Sequence, residues 1–339
     1  MMTESLLQPR TVRAPEFPAA TWLNAEQPLM LAGLRGRAVL VDFWEFSCVN
    51  CLRTLPYLRE WQRRYERWLT IIGVHAPEFA FGRERQSIEW ALREHDLRYP
   101  VVLDNDYTIW DAFANRAWPS KYLIDQSGYI RFSSQGEGGY DRFERAIQQV
   151  LREADSDVLL PPPMQPLRAE DAPGAVCYRP TPELHGGLDR GALGNPEGYA
   201  GGVPVVYTLP KERQRGAFYV SGAWQAGEQY LVYRGQTEAV IQLPYEAVEV
   251  NAVFSPHVEL VERMLHPDAV AVEVWQDGAP LPDAVRGSDV TAEGRVLVDR
   301  PRMYNLVRNP GFERHELTLR LKSRGFALYA FSFTSCVKA

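Results

Sequence analysis

The sequence predicts two domains of different class, an α/β domain followed by an all-β sandwich or jelly roll. Three observations carry this. Up to about residue 153, strand-length apolar runs alternate with segments of helical period. A proline-rich stretch, Leu160-Pro161-Pro162-Pro163-Met164-Gln165-Pro166, then interrupts the pattern, with the extended, semi-rigid character of a linker. Beyond about residue 180 only short alternating runs follow, separated by Gly, Pro and Asp, which is the pattern of a sandwich or jelly roll. The boundaries are 1–153 for the α/β domain, 154–180 for the linker and 181–339 for the β domain. A length of 339 residues fits two domains of about 150 each.

The elements follow in order. Ala38-Val39-Leu40-Val41-Asp42-Phe43-Trp44 reads as a strand buried on both faces. Leu52, Leu55, Leu58, Trp61, Tyr65 and Trp68 recur at helical steps and mark one inward face. Leu69 to His75 is a second buried strand, and Arg83 to Glu94 a helix turning Ile88, Ala91 and Leu92 inward. A short strand at Pro100 to Leu103 and a short helix near Tyr107 to Phe113 come next. Lys121 to Asp125 and Tyr129 to Phe132 flank Gln126-Ser127-Gly128 as a hairpin, and Arg142 to Glu153 closes the domain as an amphipathic helix. In the second half, runs such as Gln229-Tyr230-Leu231-Val232-Tyr233 and Phe326 to Phe333 read as strands. Gly186 to Gly202, rich in Gly and Asp, breaks the strand pattern and reads as a long functional loop.

Composition excludes several classes. Thirty-seven basic against 43 acidic residues give a net charge of −6, and no basic block compensates, which argues against nucleic-acid binding through phosphate neutralisation. No apolar run approaches the length of a membrane helix. The first ten residues carry no apolar leader core, which predicts no Sec export and a cytoplasmic location. Four cysteines, at 48, 51, 177 and 336, do not make a disulfide scaffold. One CxxC pair and six scattered His do not make a zinc ribbon.

Cys48-Val49-Asn50-Cys51 follows a buried strand and opens a helix. There the unsatisfied N–H groups and the macrodipole favour an anion, and the thiolate is the nucleophile of disulfide exchange. Cys48 is therefore expected to attack, and Cys51, one turn further in, to resolve the mixed disulfide. A bare CxxC is also compatible with two structural thiols. Its strand-to-helix setting is what favours redox chemistry.

The segment Phe43-Trp44-Glu45-Phe46-Ser47-Cys48-Val49-Asn50-Cys51-Leu52-Arg53-Thr54-Leu55-Pro56 resembles the active-site segment of the thioredoxin-like family, in its TlpA/DipZ branch of thiol-disulfide oxidoreductases. The likeness continues through Gly73 to Phe81, Tyr99 to Asp106, Trp118 to Asp125 and Gly136 to Asp141. It implies a thioredoxin fold for the first domain, with Cys48 attacking and Cys51 resolving. It also implies that Pro119 is a cis-proline beside the disulfide, where freed backbone groups pair with an incoming peptide. From the residues alone Pro119 is a turn proline. Pro56 matches the proline inside the family's first helix, and an interior proline removes a helix hydrogen bond.

Some positions depart from the family. Glu45 stands where the DipZ-like branch has Thr and places a carboxylate near Cys48; a negative charge there favours the protonated thiol. Trp118 replaces a smaller residue before the cis-proline and is expected to change substrate choice. Thr54 stands where several TlpA-like proteins carry a Glu linked to proton transfer, and Glu78 is the candidate to supply that base, with a solvated loop carboxylate as the alternative. Trp44 is expected to cover the disulfide or to be plain core. His75 reads as a hydrogen-bonded structural residue, with tuning of the dithiol as the alternative, and Trp61, Tyr65 and Trp68 read as packing. Peroxiredoxins share the fold, but their Thr-x-x-Cys pattern has Glu45 in place of Thr here.

The second half resembles the C-terminal extension of DipZ proteins, through Thr181-Pro182-Glu183-Leu184 and Ala327 to Phe333. That extension is similar to a carbohydrate-binding module. Trp224, Tyr230, Tyr233 and Trp275 each read first as sandwich core, with stacking on sugar rings as the alternative. Cys177 and Cys336 bracket this domain and are expected as two separate reduced thiols, with a disulfide between the sandwich ends as the alternative.

The resulting expectation is a thiol-disulfide oxidoreductase with an appended sandwich for substrate or partner recognition. It needs no bound cofactor, only a disulfide- or dithiol-bearing protein substrate and a partner electron donor. The competing expectation is a binding protein whose sandwich takes a glycan or protein and whose dithiol senses redox state or holds a soft metal such as Cu(I). DipZ-like modules work outside the cytoplasm, so the resemblance and the absent leader core point to different compartments.

Overall fold

In the computed structural model, which describes residues 6–337, the chain separates into two units, 1–172 and 173–339. Half of the ten-residue stretch read for a leader, residues 1–5, lies outside the described residues.

The first unit is built on a sheet of six strands: β1 (Trp22–Leu23), β2 (Ala38–Trp44), β3 (Leu69–His75), β4 (Val101–Leu103), β5 (Ser120–Ile124) and β6 (Ile130–Gln135), in the order β1-β4-β3-β2-β5-β6. β2, β3 and β4 run parallel, while β1, β5 and β6 add antiparallel edges. Every residue of β2 is buried, as the unbroken apolar run requires of a central strand. The helices are α1 (Val49–Tyr65), α2 (Arg85–Glu94), α3 (Thr108–Ala112) and α4 (Tyr140–Ala154).

The pleat divides β2 between two layers. Val39, Val41 and Phe43 join Ile72, Val74 and, from the α3 side, Ile109 and Phe113 in one core. Asp42 and Trp44 therefore face the other way. On α1, Trp61 stacks on Phe143 of α4 with ring centroids 5.3 Å apart, and Tyr57 stacks on Tyr140 at 3.6 Å. Pro56 lies inside α1. β1 has only two residues, too short to show a period in the sequence.

The proline-rich stretch lies along α1 and α4. The Pro161 carbonyl accepts from Gln148 Nε2 at 2.8 Å, Met164 N–H donates to Glu144 at 2.7 Å, and Tyr57 O–H donates to Asp171 at 2.7 Å. An extended strap thus borders α1 up to the end of the unit.

The second unit is one antiparallel sheet of ten strands plus a separate two-stranded pair. Its longest strands are Ala239–Ser255 and Arg302–Leu321. The first pairs with Tyr219–Ala226 near its start and with Ala327–Thr334 near its end, with bulges between Ala247 and Asn251. Bulges of this kind bend a strand from one layer to the other, and one core gathers Trp224, Ile241, Phe254, Val272, Leu319 and Phe331.

Two expectations are corrected here, the separate reduced thiols at Cys177 and Cys336 and a second half without helices, while burial supports the sandwich-core reading of Trp224 and Tyr233. Trp224 and Tyr233 are fully buried, Trp224 donating to the Ser221 carbonyl at 2.8 Å and Tyr233 to that of Thr237 at 2.8 Å, so neither can stack on a ligand. Their faces of the sheet point inward, which alternation alone leaves open. Cys177 and Cys336 form a disulfide, because Val176–Cys177 and Cys336–Val337 pair antiparallel with the two cysteines directly opposite. The segment 186–202 is irregular, as its sequence suggests, and is packed through Asn195, which is buried, donates to the carbonyls of Thr208 and Val220, and accepts from Val220 N–H. A short helix, Leu260–Leu265, interrupts what reads as strands alone. No helix among the described residues is long and apolar enough to cross a membrane.

Candidate active site

The site forms where β2 ends and α1 begins. Cys48 is the N-cap of α1 in extended backbone (φ −88°, ψ 114°), and its Sγ accepts the Cys51 N–H at 3.3 Å. The first N–H groups of a helix need an acceptor outside it, and the Cys48 sulfur supplies one. Cys48 is half-buried and Cys51 fully buried, neither is in a disulfide, and the two sulfurs lie 2.7 Å apart. Burial, with Cys48 beside it, pushes the Cys51 thiol well above the ordinary range. The pair is asymmetric: one sulfur is partly exposed, and the other is enclosed with its pKa raised.

Beneath Cys51 lies a group that the sequence reasoning missed. Asp42, central in β2, is fully buried, and neither carboxylate oxygen has a hydrogen-bond partner among the described residues. Burial raises its pKa from 3.8 to about 7, against the pull of the Lys121 ammonium. Lys121 lies directly opposite Asp42 in the β2–β5 register and donates to the Gly136 carbonyl at 3.2 Å. Burial lowers the Lys121 pKa, while Asp42 and Cys51 oppose that shift. The charge of Asp42 in turn raises the Cys51 thiol. A lone Asp within an otherwise apolar strand was the available signal, since an acid at such a position must be buried.

Glu45 is also fully buried, with Oε2 accepting from Ser47 N at 2.6 Å and Ser47 Oγ at 2.5 Å. Its Oε1 lies 3.9 Å from Nε2 of His75. Burial raises Glu45 from 4.5 to about 8; the Ser47 bonds oppose this and the charge of Glu78 adds to it. His75, fully buried at the end of β3, stacks on Phe46 at 5.6 Å and meets the edge of Trp44 at 5.1 Å. Burial lowers its pKa from 6.5 to about 3. The expected hydrogen-bonded histidine is thus corrected: outside its own backbone, neither ring nitrogen has a hydrogen-bond partner among the described residues.

The other candidates fall around this centre. Glu78 is half-buried in the loop after β3, and its charge acts on Glu45 and Tyr107. Trp44 is fully buried and lies against Gly73, where an added Cβ would come within 2.9 Å of its Nε1; it belongs to the core. Thr54 is buried, donates to the Asn50 carbonyl at 2.9 Å and lies 3.2 Å from the Tyr140 hydroxyl. The Trp118–Pro119 bond is cis. Trp118 is half-buried, donates from Nε1 to the Ala76 carbonyl at 3.0 Å and packs on Trp110 at 4.4 Å. For a soft metal, the dithiol offers two donors of the four that a closed tetrahedral site takes.

Comparison with known proteins adds the following. The AhpC/TSA family matches residues 11–133, and the family described as a thioredoxin like C-terminal domain matches residues 181–334. Protein DipZ of Mycobacterium bovis (strain ATCC BAA-935 / AF2122/97) is 35% identical over 253 residues, 71% of this chain and 34% of DipZ, so the chain spans about a third of that relative. Thiol-disulfide oxidoreductase YkuV of Bacillus subtilis (strain 168) is 30% identical over 135 residues, 40% of this chain and 90% of YkuV. Among solved structures, a thioredoxin-like protein in its oxidized form is 30% identical with a TM-score of 0.38, covering 44% of this chain and 99% of its own.

Proposed function

Because the chain belongs to the thioredoxin-like family in its TlpA/DipZ branch, we propose that it is a thiol-disulfide oxidoreductase working through Cys48 and Cys51. One observation carries the reading: a half-buried sulfur caps α1 while its partner sits fully buried 2.7 Å behind it. The Cys48 thiolate attacks one sulfur of a client disulfide. A Cys48–client bond forms, the client S–S bond breaks, and one client thiolate leaves. The Cys51 proton passes to the Asp42 carboxylate, whose pKa of about 7 suits a general base near neutrality. The Cys51 thiolate then attacks Cys48 Sγ and releases the second client thiolate. The client gains two electrons, and the 48–51 pair becomes a disulfide for a partner dithiol to reduce.

Pro119 and Trp118 are assigned to the client backbone and to the side chain next to its cysteine. Support comes from the cis bond and from the indole held by Ala76 beside Trp110. The second unit is assigned to partner recognition; for a glycan, only Tyr230 and Trp275 of the four aromatic candidates keep exposure. The Cys177–Cys336 disulfide supports an oxidising compartment as the working location. Insulin reduction by the full chain tests the redox reading. Wild type reduces insulin and Cys48→Ser does not, while Cys51→Ser accumulates a mixed disulfide through Cys48; equal rates in wild type and Cys48→Ser would sink the reading.

A further inference from the structure

Glu45 and His75 take no direct part in the exchange above, yet their placement is costly. A buried polar group without a hydrogen bond has lost its water without regaining a partner. Here Glu45 Oε1 and His75 Nε2 face each other at 3.9 Å in the interior, and neither atom has a hydrogen-bond partner among the described residues. The loop after β3 closes over them, since a Cβ on Gly82 would stand 3.2 Å from Glu45 Oε1. The same turn presents the nucleophile: Cys48 N–H donates to the Glu45 carbonyl at 3.3 Å, and Ser47, just before Cys48, holds Glu45 Oε2. A change of charge on the fully buried Glu45 therefore occurs within one turn of Cys48, where low dielectric strengthens its effect.

We propose that Glu45 and His75 form a buried carboxyl–imidazole pair that holds one proton for the dithiol, Glu45 acting as a positioning residue on Cys48. The inference rests on the redox reading of the 48–51 pair. The groups facing Glu45 are His75 from β3, Glu78 from the loop after it, Ser47 from its own turn, and Tyr107, which in turn feels Arg83. With Glu45 raised to about 8 and His75 lowered to about 3, the pair is neutral near pH 7, with its proton on the carboxyl. The Cys48 thiolate then has no second anion beside it.

Reducing the 48–51 disulfide adds two electrons and breaks the S–S bond, leaving a thiolate at Cys48 and a proton from solvent on Cys51. The new negative charge makes Glu45 hold its proton more tightly. Where the carboxyl has ionised in the disulfide state, reduction therefore takes up one further proton from solvent, which binds Glu45.

The experiment is the midpoint potential of the 48–51 pair in the full chain, measured against pH in a glutathione buffer. Wild type is compared with Glu45→Gln, Glu45→Thr and Asp42→Asn. Near pH 8 the wild-type potential should fall more steeply by up to about 30 mV per pH unit, the equivalent of one proton in a two-electron couple. Both Glu45 variants should lose that steeper segment and Asp42→Asn should keep it, so the inference stands even if one Glu45 variant fails to fold. A wild-type profile retained in both Glu45 variants, or a segment lost only in Asp42→Asn, overturns it. A wild-type chain with no reversible 48–51 couple overturns the redox reading beneath it, which is a different result.

Discussion

Asp42→Asn should make the protein more stable and less active, and the gain in stability should grow from about pH 4 to about pH 7 and hold constant above it. The carboxyl is buried without a hydrogen-bond partner among the described residues, and its pKa rises from 3.8 to about 7 on folding. At 1.36 kcal/mol per pH unit, ionising it inside the fold costs about 4 kcal/mol. Between those two values the native chain keeps a proton that the unfolded chain releases, so stability falls as pH rises through this window and is flat above it. Asparagine cannot ionise and escapes the loss. Part of the gain is returned, because Lys121 loses the anion opposite it in the β2–β5 register. The net expectation is about 2 kcal/mol of added stability at about pH 8.5, and little difference at about pH 4. Urea unfolding of the reduced chain at the two pH values measures it. Insulin turnover should fall by about a hundredfold with loss of the base, while alkylation of Cys48 stays within the wild-type range. A variant that is destabilised at high pH, or shifted equally at both, would refute the account of Asp42 as a buried acid that ionises near neutrality.

Two further predictions concern the frame around the site. Asp125 accepts from Arg10 and Arg131 at 2.6 and 3.2 Å and from the N–H groups of Ser127 and Tyr129, which hold its pKa below 3.8 although burial opposes them. Asp125→Ala should cost about 3 kcal/mol in urea unfolding near neutral pH, because Arg131 keeps one carboxylate partner fewer. The contribution of Asp125 is complete above its unfolded value and is lost as pH falls through its lower folded one, so the variant and wild type should converge in strong acid. The Cys177–Cys336 disulfide closes a separation of 159 residues, worth about 5 kcal/mol of unfolded-chain entropy. Denatured, unreduced protein should alkylate two thiols, and Cys177→Ser should lower the urea midpoint of the second unit; four reactive thiols would show that the bridge does not form.

How much of this was legible follows from where the determining interactions lie along the chain. β2 is an unbroken apolar run, α1 is a helical period opened by Cys48, and Cys51 follows one turn later. Each is decided by neighbours, so the sequence by itself determined the α/β core, the strand-to-helix junction and the dithiol placed on it. The family pattern added Pro119. What the tertiary structure decided involves residues distant in sequence. Register sets Lys121 opposite Asp42 and Cys336 opposite Cys177, and strand register is fixed by the packing of whole faces rather than by local preference. The same holds for Trp224 and Tyr233, which alternation leaves free to point either way until the sheet closes over them. The pairing of Glu45 with His75 arises because β2 and β3 end side by side. Local sequence thus supplied the two neighbouring sulfurs, and the packing of the fold supplied the buried acids Asp42 and Glu45 near them.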